Sequence, residues 1–277
     1  MWVANTIGVT ELDESNGLLV RVIKTSPEEI NSGIAASGSR VWLVSDGGGR
    51  VRAAVTEFNS SNGSVVRVIT AKAAELVSPN DIAASGRHVW VTNGGHGEGG
   101  GGVSELSASS GALVHSFSSP GGIKLQANAE FNAPYGIAVS DSHVWVADGA
   151  NVGNSPGVAE LNASNGALVQ MVNPPKDEFL GPSGIAVAGS DVWVTDTGCN
   201  EYSCRGQGDV VELNASTGSL VRYISGFQVG SALGLFGEPS NIAANTSRVW
   251  FTSETGLTEL NASTGSVLHN FSAGAPV

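Results

Sequence analysis

Apolar and polar positions recur along the chain in one fixed order, best seen between Pro182 and Ile224. Two short apolar runs, GIAV (184–187) and VWVTD (192–196), are joined by a polar turn, AGSD (188–191). After a loop come VVELN (210–214) and SLVRYI (219–224), joined across the A-S-T-G turn. Turns rich in Gly, Ser, Asp and Asn between such runs predict four antiparallel strands, A to D. Strands A and B are apolar at consecutive positions, so both faces of the sheet must be covered.

Three markers count the units. Tryptophan recurs at one position, as Trp2, Trp42, Trp90, Trp145, Trp193 and Trp250. The strand C glutamate recurs as Glu11, Glu57, Glu105, Glu160, Glu212 and Glu259, and a turn glycine as Gly17, Gly63, Gly111, Gly166, Gly218 and Gly265. They define six units, at about 1–23, 31–69, 79–117, 134–172, 182–224 and 239–271. Four-stranded units covered on both faces predict an all-β β-propeller, one domain over residues 1–277. The tryptophans are then wedges between blades, each covering ~150–250 Å². The turn glycine predicts positive φ, where alanine costs roughly 1–2 kcal/mol.

The string F-x-x-P-x-G-I-A-V followed by V-W-V-A-D, seen at Phe131 to Asp148 and in close form at Phe179 to Asp196, resembles the repeat of NHL-type, virginiamycin B lyase-like and YVTN-type bacterial propellers. The resemblance covers nearly the whole chain and implies the fold. It leaves activity open, because these families include lyases, lactonases, RNA binders and interaction modules.

The first unit carries strands B, C and D but no strand A, and Pro276 aligns with the prolines that precede strand A elsewhere. The chain therefore reads as a piece of a longer array, with seven blades as the alternative count, or as a propeller with one blade a strand short. Tryptophan spacings of 40, 48, 55, 48 and 57 show that unit length varies. The A–B and C–D turns keep their length while the B–C loops and D–A connections stretch. Those two sets emerge at opposite ends of a blade, so one face is constant and the other, the loop face, carries the variation. Binding residues favour variable loops on a rigid scaffold. Candidate features there are Arg50 and Arg52, His96 and Glu98, Tyr202, and the apolar Phe227, Leu233, Leu235 and Phe236.

Residues entering strand A line the mouth of the expected axial channel. The ligand candidates are Asn31, Asp81, Tyr135, Ser183 and Asn241, to which lactonase-like relatives would add a divalent ion, calcium or magnesium. Asp81 is the one carboxylate among them, thin for ions that take several oxygens. No cofactor and no catalytic residue is assigned. A second polar set, three residues after each tryptophan (Asn5, Ser45, Asn93, Asp148, Asp196 and Ser253), reads as turn chemistry. The repeated glutamates read as structural. His88, His143, His115 and His269 occupy positions that hold Arg, Gln or Asp in other units, which reads as solvated surface. The Asn-x-Ser/Thr sites likewise read mostly as copied turns.

Net charge of −12 and pI near 4.7 weigh against nucleic acid and anionic membranes as partners. No apolar run reaches the ~20 residues of a membrane span, and Met1 lies directly in a strand B, so no signal peptide is read. Cys199 and Cys204 form a candidate disulfide, which needs an oxidising compartment; two free thiols are the alternative. These readings converge on a monomeric, non-catalytic binding module of an exported or surface bacterial protein. It would take a protein or small molecule on its loop face; the alternative is a metal-assisted lyase or lactonase at the channel mouth.

Overall fold

The computed structural model describes residues 1–5, 8–13, 15–16, 18–25, 31–46, 52–94, 101–118, 131, 133–140, 142–149, 156–172, 179–199, 208–226 and 236–272. The fold is a six-bladed β-propeller built from antiparallel sheets, with one four-residue helix among the described residues. The chain divides into two compact units, Met1–Pro134 and Tyr135–Val277.

In the first unit, β1 (Trp2–Asn5), β2 (Gly8–Leu12) and β3 (Leu19–Lys24) form a three-stranded sheet, as expected for a unit without strand A. Blade 2 follows as β4 (Asn31–Ser37), β5 (Arg40–Ser45), β6 (Ala54–Asn59) and β7 (Val65–Thr70). The helix α1 (Ala71–Ala74) lies in the connection to blade 3; the repeat pattern did not reveal it. Blade 3 is β8 (Pro79–Ser85), β9 (His88–Asn93), β10 (Gly102–Ser107) and β11 (Leu113–Ser118).

The strand labelled β12 (Ala133–Val139) opens blade 4, with β13 (His143–Gly149), β14 (Gly157–Asn162) and β15 (Leu168–Val172). Blade 5 is β16 (Pro182–Ala188), β17 (Asp191–Asp196), β18 (Asp209–Asn214) and β19 (Leu220–Ser225). Blade 6 is β20 (Ile242–Ala244), β21 (Arg248–Ser253), β22 (Gly256–Asn261) and β23 (Val267–Ser272). Among the described residues no helix is long and apolar enough to cross a membrane.

Register repeats with the sequence. Each tryptophan stands opposite its strand C glutamate, from Trp2 with Glu11 to Trp250 with Glu259. The tryptophan then packs on the following blade: Trp42 clusters with Val89, Val91 and Leu106, Trp145 with Val192 and Val194, and Trp193 with Val249 and Phe251. Wedging explains why consecutive positions of strand B are buried, since one face meets the blade before and the other the blade after.

The C–D turn repeats atom by atom. In Asn59, Asn162, Asn214 and Asn261 the side-chain Oδ1 accepts the backbone N–H two residues on, a turn that accounts for the repeated Asn-x-Ser/Thr pattern. The glycine that follows has φ near +70°, as at Gly63 (73°) and Gly265 (71°). It also touches the preceding blade: a Cβ on Gly63 would lie 2.9 Å from Ile23 Cδ1. The glycine thus meets a backbone requirement and a steric one together.

Candidate functional site

Three of the strands that present the ligand candidates share a local irregularity. Pairing between strands A and B slips between Asn31 and Gly33, between Pro79 and Ile82, and between Pro182 and Ile185, so β4, β8 and β16 open on a bulge. A bulge leaves backbone groups without ladder partners, and strand B threonines take them. In blade 3 the Asp81 N–H donates to Thr92 Oγ1 at 3.0 Å; in blade 5 the Gly184 N–H donates to Thr195 Oγ1 at 2.8 Å. Thr195 Oγ1 also lies 2.8 Å from the Ser240 carbonyl of blade 6. Sequence reasoning passed over these threonines, though their place two residues after the tryptophan was legible.

The first unit brings Asn31 and Asp81 to the starts of adjacent strands, β4 and β8. A Cβ on Gly33 would fall 2.5 Å from Asp81 Oδ1, so the Asp81 carboxylate lies against that glycine. The same oxygen accepts the Ile82 N–H at 2.8 Å. In the second unit, Ser183 Oγ is 3.0 Å from the Pro239 carbonyl and 3.0 Å from Thr195 Oγ1, which ties it into the blade 5 to blade 6 junction. Tyr135 is 48% exposed and Asn241 is exposed beside it in sequence pattern, each at the entry to its strand A. The Asn241 carbonyl accepts the Thr252 N–H.

Glycine at the third position of the strand A entry permits this close approach of inner strands. A Cβ on Gly136 would sit 2.4 Å from the Ser183 carbonyl oxygen, and one on Gly184 would sit 2.2 Å from that of Ser240. Asp81 and Asn241 occupy this glycine position in blades 3 and 6.

The second polar set is structural, as its sequence implied. Asp196 is buried and accepts the N–H groups of Leu180, Gly181 and Gly198. Asn93 accepts the Val77 N–H and donates to Ser104 Oγ. Both side chains tie the end of strand B to the connection that leads into strand A of the same blade.

The histidines require a correction. They are surface-accessible, with side chains 31–36% exposed for His88, His115 and His143 and 63% for His269, but each is also a partner of a strand C glutamate, and four of the six glutamates (Glu57, Glu105, Glu160 and Glu212) are buried. In blade 2, Glu57 Oε1 receives Arg40 at 2.7 Å and Oε2 receives Arg67 at 2.5 Å. In blade 3, Glu105 receives His88 Nδ1 at 2.5 Å and His115 Nδ1 at 2.6 Å in the same two places. Blade 4 uses His143 and Gln170 on Glu160; blade 6 uses Arg248 and His269 on Glu259. Arg, His and Gln interchange here because each offers an N–H to a buried carboxylate. Blade 5 departs from the pattern with Asp191 at the first position of strand B. Burial, with a smaller contribution from Asp191, raises the Glu212 carboxyl above the ordinary carboxylate range despite Arg222 at 2.7 Å.

The loop-face candidates Arg50, His96, Glu98, Tyr202, Phe227, Leu233 and Leu235 lie outside the described residues, and so does Cys204. Arg52 is exposed. Cys199 is disulfide-bonded. Phe236 is a second correction: it is 1% exposed and meets Phe251 edge-on at 4.9 Å, so it belongs to the core between blades 5 and 6.

A propeller whose inner-strand polar groups mostly serve its own backbone is the class of protein these features define. No protein-family model matches the chain, and no curated protein matches its sequence. Solved structures match in fold. Hydrazine synthase of Kuenenia stuttgartiensis is 12% identical, with a TM-score of 0.61 over 92% of this chain and 70% of that one. The gluconolactonase XC5397 of Xanthomonas campestris is 17% identical, with a TM-score of 0.59 over 89% and 77%. A luciferin-regenerating enzyme is 13% identical, with a TM-score of 0.57 over 87% and 75%.

Proposed function

We propose that the chain is a non-catalytic binding module, a single propeller domain of the NHL-like and virginiamycin B lyase-like kind from an exported or surface bacterial protein. It engages a protein or small molecule through its B–C loops and D–A connections. One observation carries this reading: the four described histidines all serve strand C glutamates, and Ser183 serves a blade junction, so these groups already have structural work. The disulfide partner of Cys199 is Cys204, clipping the blade 5 B–C loop. Peptide mapping without reductant checks this by finding the two cysteines in one linked fragment.

The test replaces residues 119–130 and 227–235 with short Gly-Ser linkers, sparing the buried Phe131 and Phe236. Affinity capture from an envelope extract of the producing cell should recover a partner with the parent chain and lose it with the variant. Equal capture by both would overturn the reading.

The second reading is a metal-assisted lyase or lactonase at the strand A entries. It is favoured by the likeness to a gluconolactonase and a luciferin-regenerating enzyme, and by Asp81 lying beside the start of β4. Calcium or magnesium would be held by Asp81 with amide and backbone oxygens, a poor fit because Asp81 Oδ1 already accepts a backbone N–H. A calcium-dependent rise in melting temperature that disappears in Asp81→Ala/Asn241→Ala would favour it over the binding module.

A further inference from the structure

Blade 5 lacks something that four other blades possess. In blades 2, 3, 4 and 6 the first residue of strand B sends a nitrogen to Oε1 of the strand C glutamate: Arg40 at 2.7 Å, His88 at 2.5 Å, His143 at 3.3 Å and Arg248 at 2.8 Å. In blade 5 that residue is Asp191, which pairs with Asn214 in the same register that Arg40 shares with Asn59. Glu212 is 3% exposed; its Oε2 receives Arg222, and among the described residues no donor reaches its Oε1. Asp191 Oδ1 accepts the Ser190 hydroxyl at 3.2 Å.

We propose that Asp191 and Glu212 Oε1 form a binding seat for a guanidinium group, supplied by an arginine side chain of a partner protein approaching the constant face. The seat's shape is shown by the molecule itself, since Arg40 and Arg248 fill the equivalent place in blades 2 and 6. Its charge fits too: where blade 2 sets two guanidinium groups on one carboxylate, blade 5 has one, Arg222, and an acid, Asp191, in the place of the other. Of the other charged groups, Arg222 places Nε on Glu212 Oε2 and Nη2 on the Ser263 carbonyl, with its buried Nη1 left without a hydrogen bond among the described residues, and Arg248 of the next blade is held by Glu259. The raised Glu212 carboxyl accords with a buried acid whose second cation is missing. A calcium ion is the wrong occupant, because it wants about six to eight oxygens and the seat offers two carboxylates. Planar N–H donors match the pair instead. This contact is on the face opposite the loops and stands or falls independently of the loop-face reading.

The test uses the full chain with ¹³C-labelled Asp and Glu carboxyls, titrated with methylguanidinium at constant ionic strength. A saturable shift of the Glu212 resonance is expected, half-complete on the order of 10 mM. Asp191→Asn should weaken it roughly fivefold or more, and Asp191→Arg, which fills the seat from within, should abolish it. Tetramethylammonium, with no N–H to donate, should produce none of it. A drift that never saturates, equal titrations of the parent and Asp191→Arg, or tighter saturation by calcium than by methylguanidinium would each overturn the proposal.

Discussion

Arg67→Ala tests whether the strand C carboxylates are held from within. Arg67 Nε lies 2.5 Å from Oε2 of the fully buried Glu57, and its Nη2 reaches across to the Ser109 carbonyl of blade 3 at 2.8 Å. Removing one member of a fully buried ion pair costs about 3–5 kcal/mol, because the other charge stays behind without its partner. Arg40 remains on Oε1, and the Arg67 side chain is 24% exposed, so the cost falls below that range, at about 2–3 kcal/mol. Loss of the exposed bond to Ser109 adds roughly 0.5 kcal/mol. Unfolding entropy of about 2.1 cal/mol/K per residue gives roughly 0.6 kcal/mol/K for a chain of this length, so the melting temperature should fall by about 5 °C. Calorimetry and urea titration read the loss. Glu57→Leu/Arg67→Leu, which removes the buried charge with its partner, should lose less than Arg67→Ala alone. A change within about 0.5 kcal/mol for Arg67→Ala, as an ordinary surface residue shows, would refute the reasoning.

Two further outcomes follow from other parts of the blade. Gly184→Ala puts a methyl 2.2 Å from the Ser240 carbonyl oxygen and should cost more than about 2 kcal/mol, whereas Gly38→Ala, with open space around it but φ of 58°, should cost about 1 kcal/mol; thermal melts that rank them the other way would contradict the close inner-strand approach. Asp191→Asn should stabilise the chain by about 0.5–1 kcal/mol near pH 7 and by little in acid. The sign follows from the raised Glu212 carboxyl: the folded state binds that proton more tightly than the unfolded chain. The penalty is therefore absent when both states are protonated, grows as pH rises through the unfolded carboxylate range near about 4, and is complete above the folded value. Urea unfolding across pH reads it, and a stabilisation independent of pH would speak against the coupling.

Much of this was legible without coordinates. Recurrence of Trp, Glu and Gly at fixed offsets is enough to count six units, because a copied module must bury the same face in the same way each time. Apolar residues on both faces of strands A and B demand neighbours on either side, and the Asn-x-Ser-x-Gly string encodes its own turn through contacts two residues apart. That the first unit opens on strand B was equally plain, and among the described residues its sheet has three strands.

Other features were decided by tertiary structure alone. Phe236, an apolar residue in a long connection, could face a ligand or the core, and only the position of Phe251 on the next strand settles it. His88 and His115 lie in different strands, far apart in sequence from each other and from Glu105, and a position that tolerates Arg, His or Gln looks like surface until the buried carboxylate between them is seen. Periodicity specifies which way a side chain points from its own strand. Whether it then meets water or a buried charge depends on chain segments brought in from elsewhere, which local pattern does not encode.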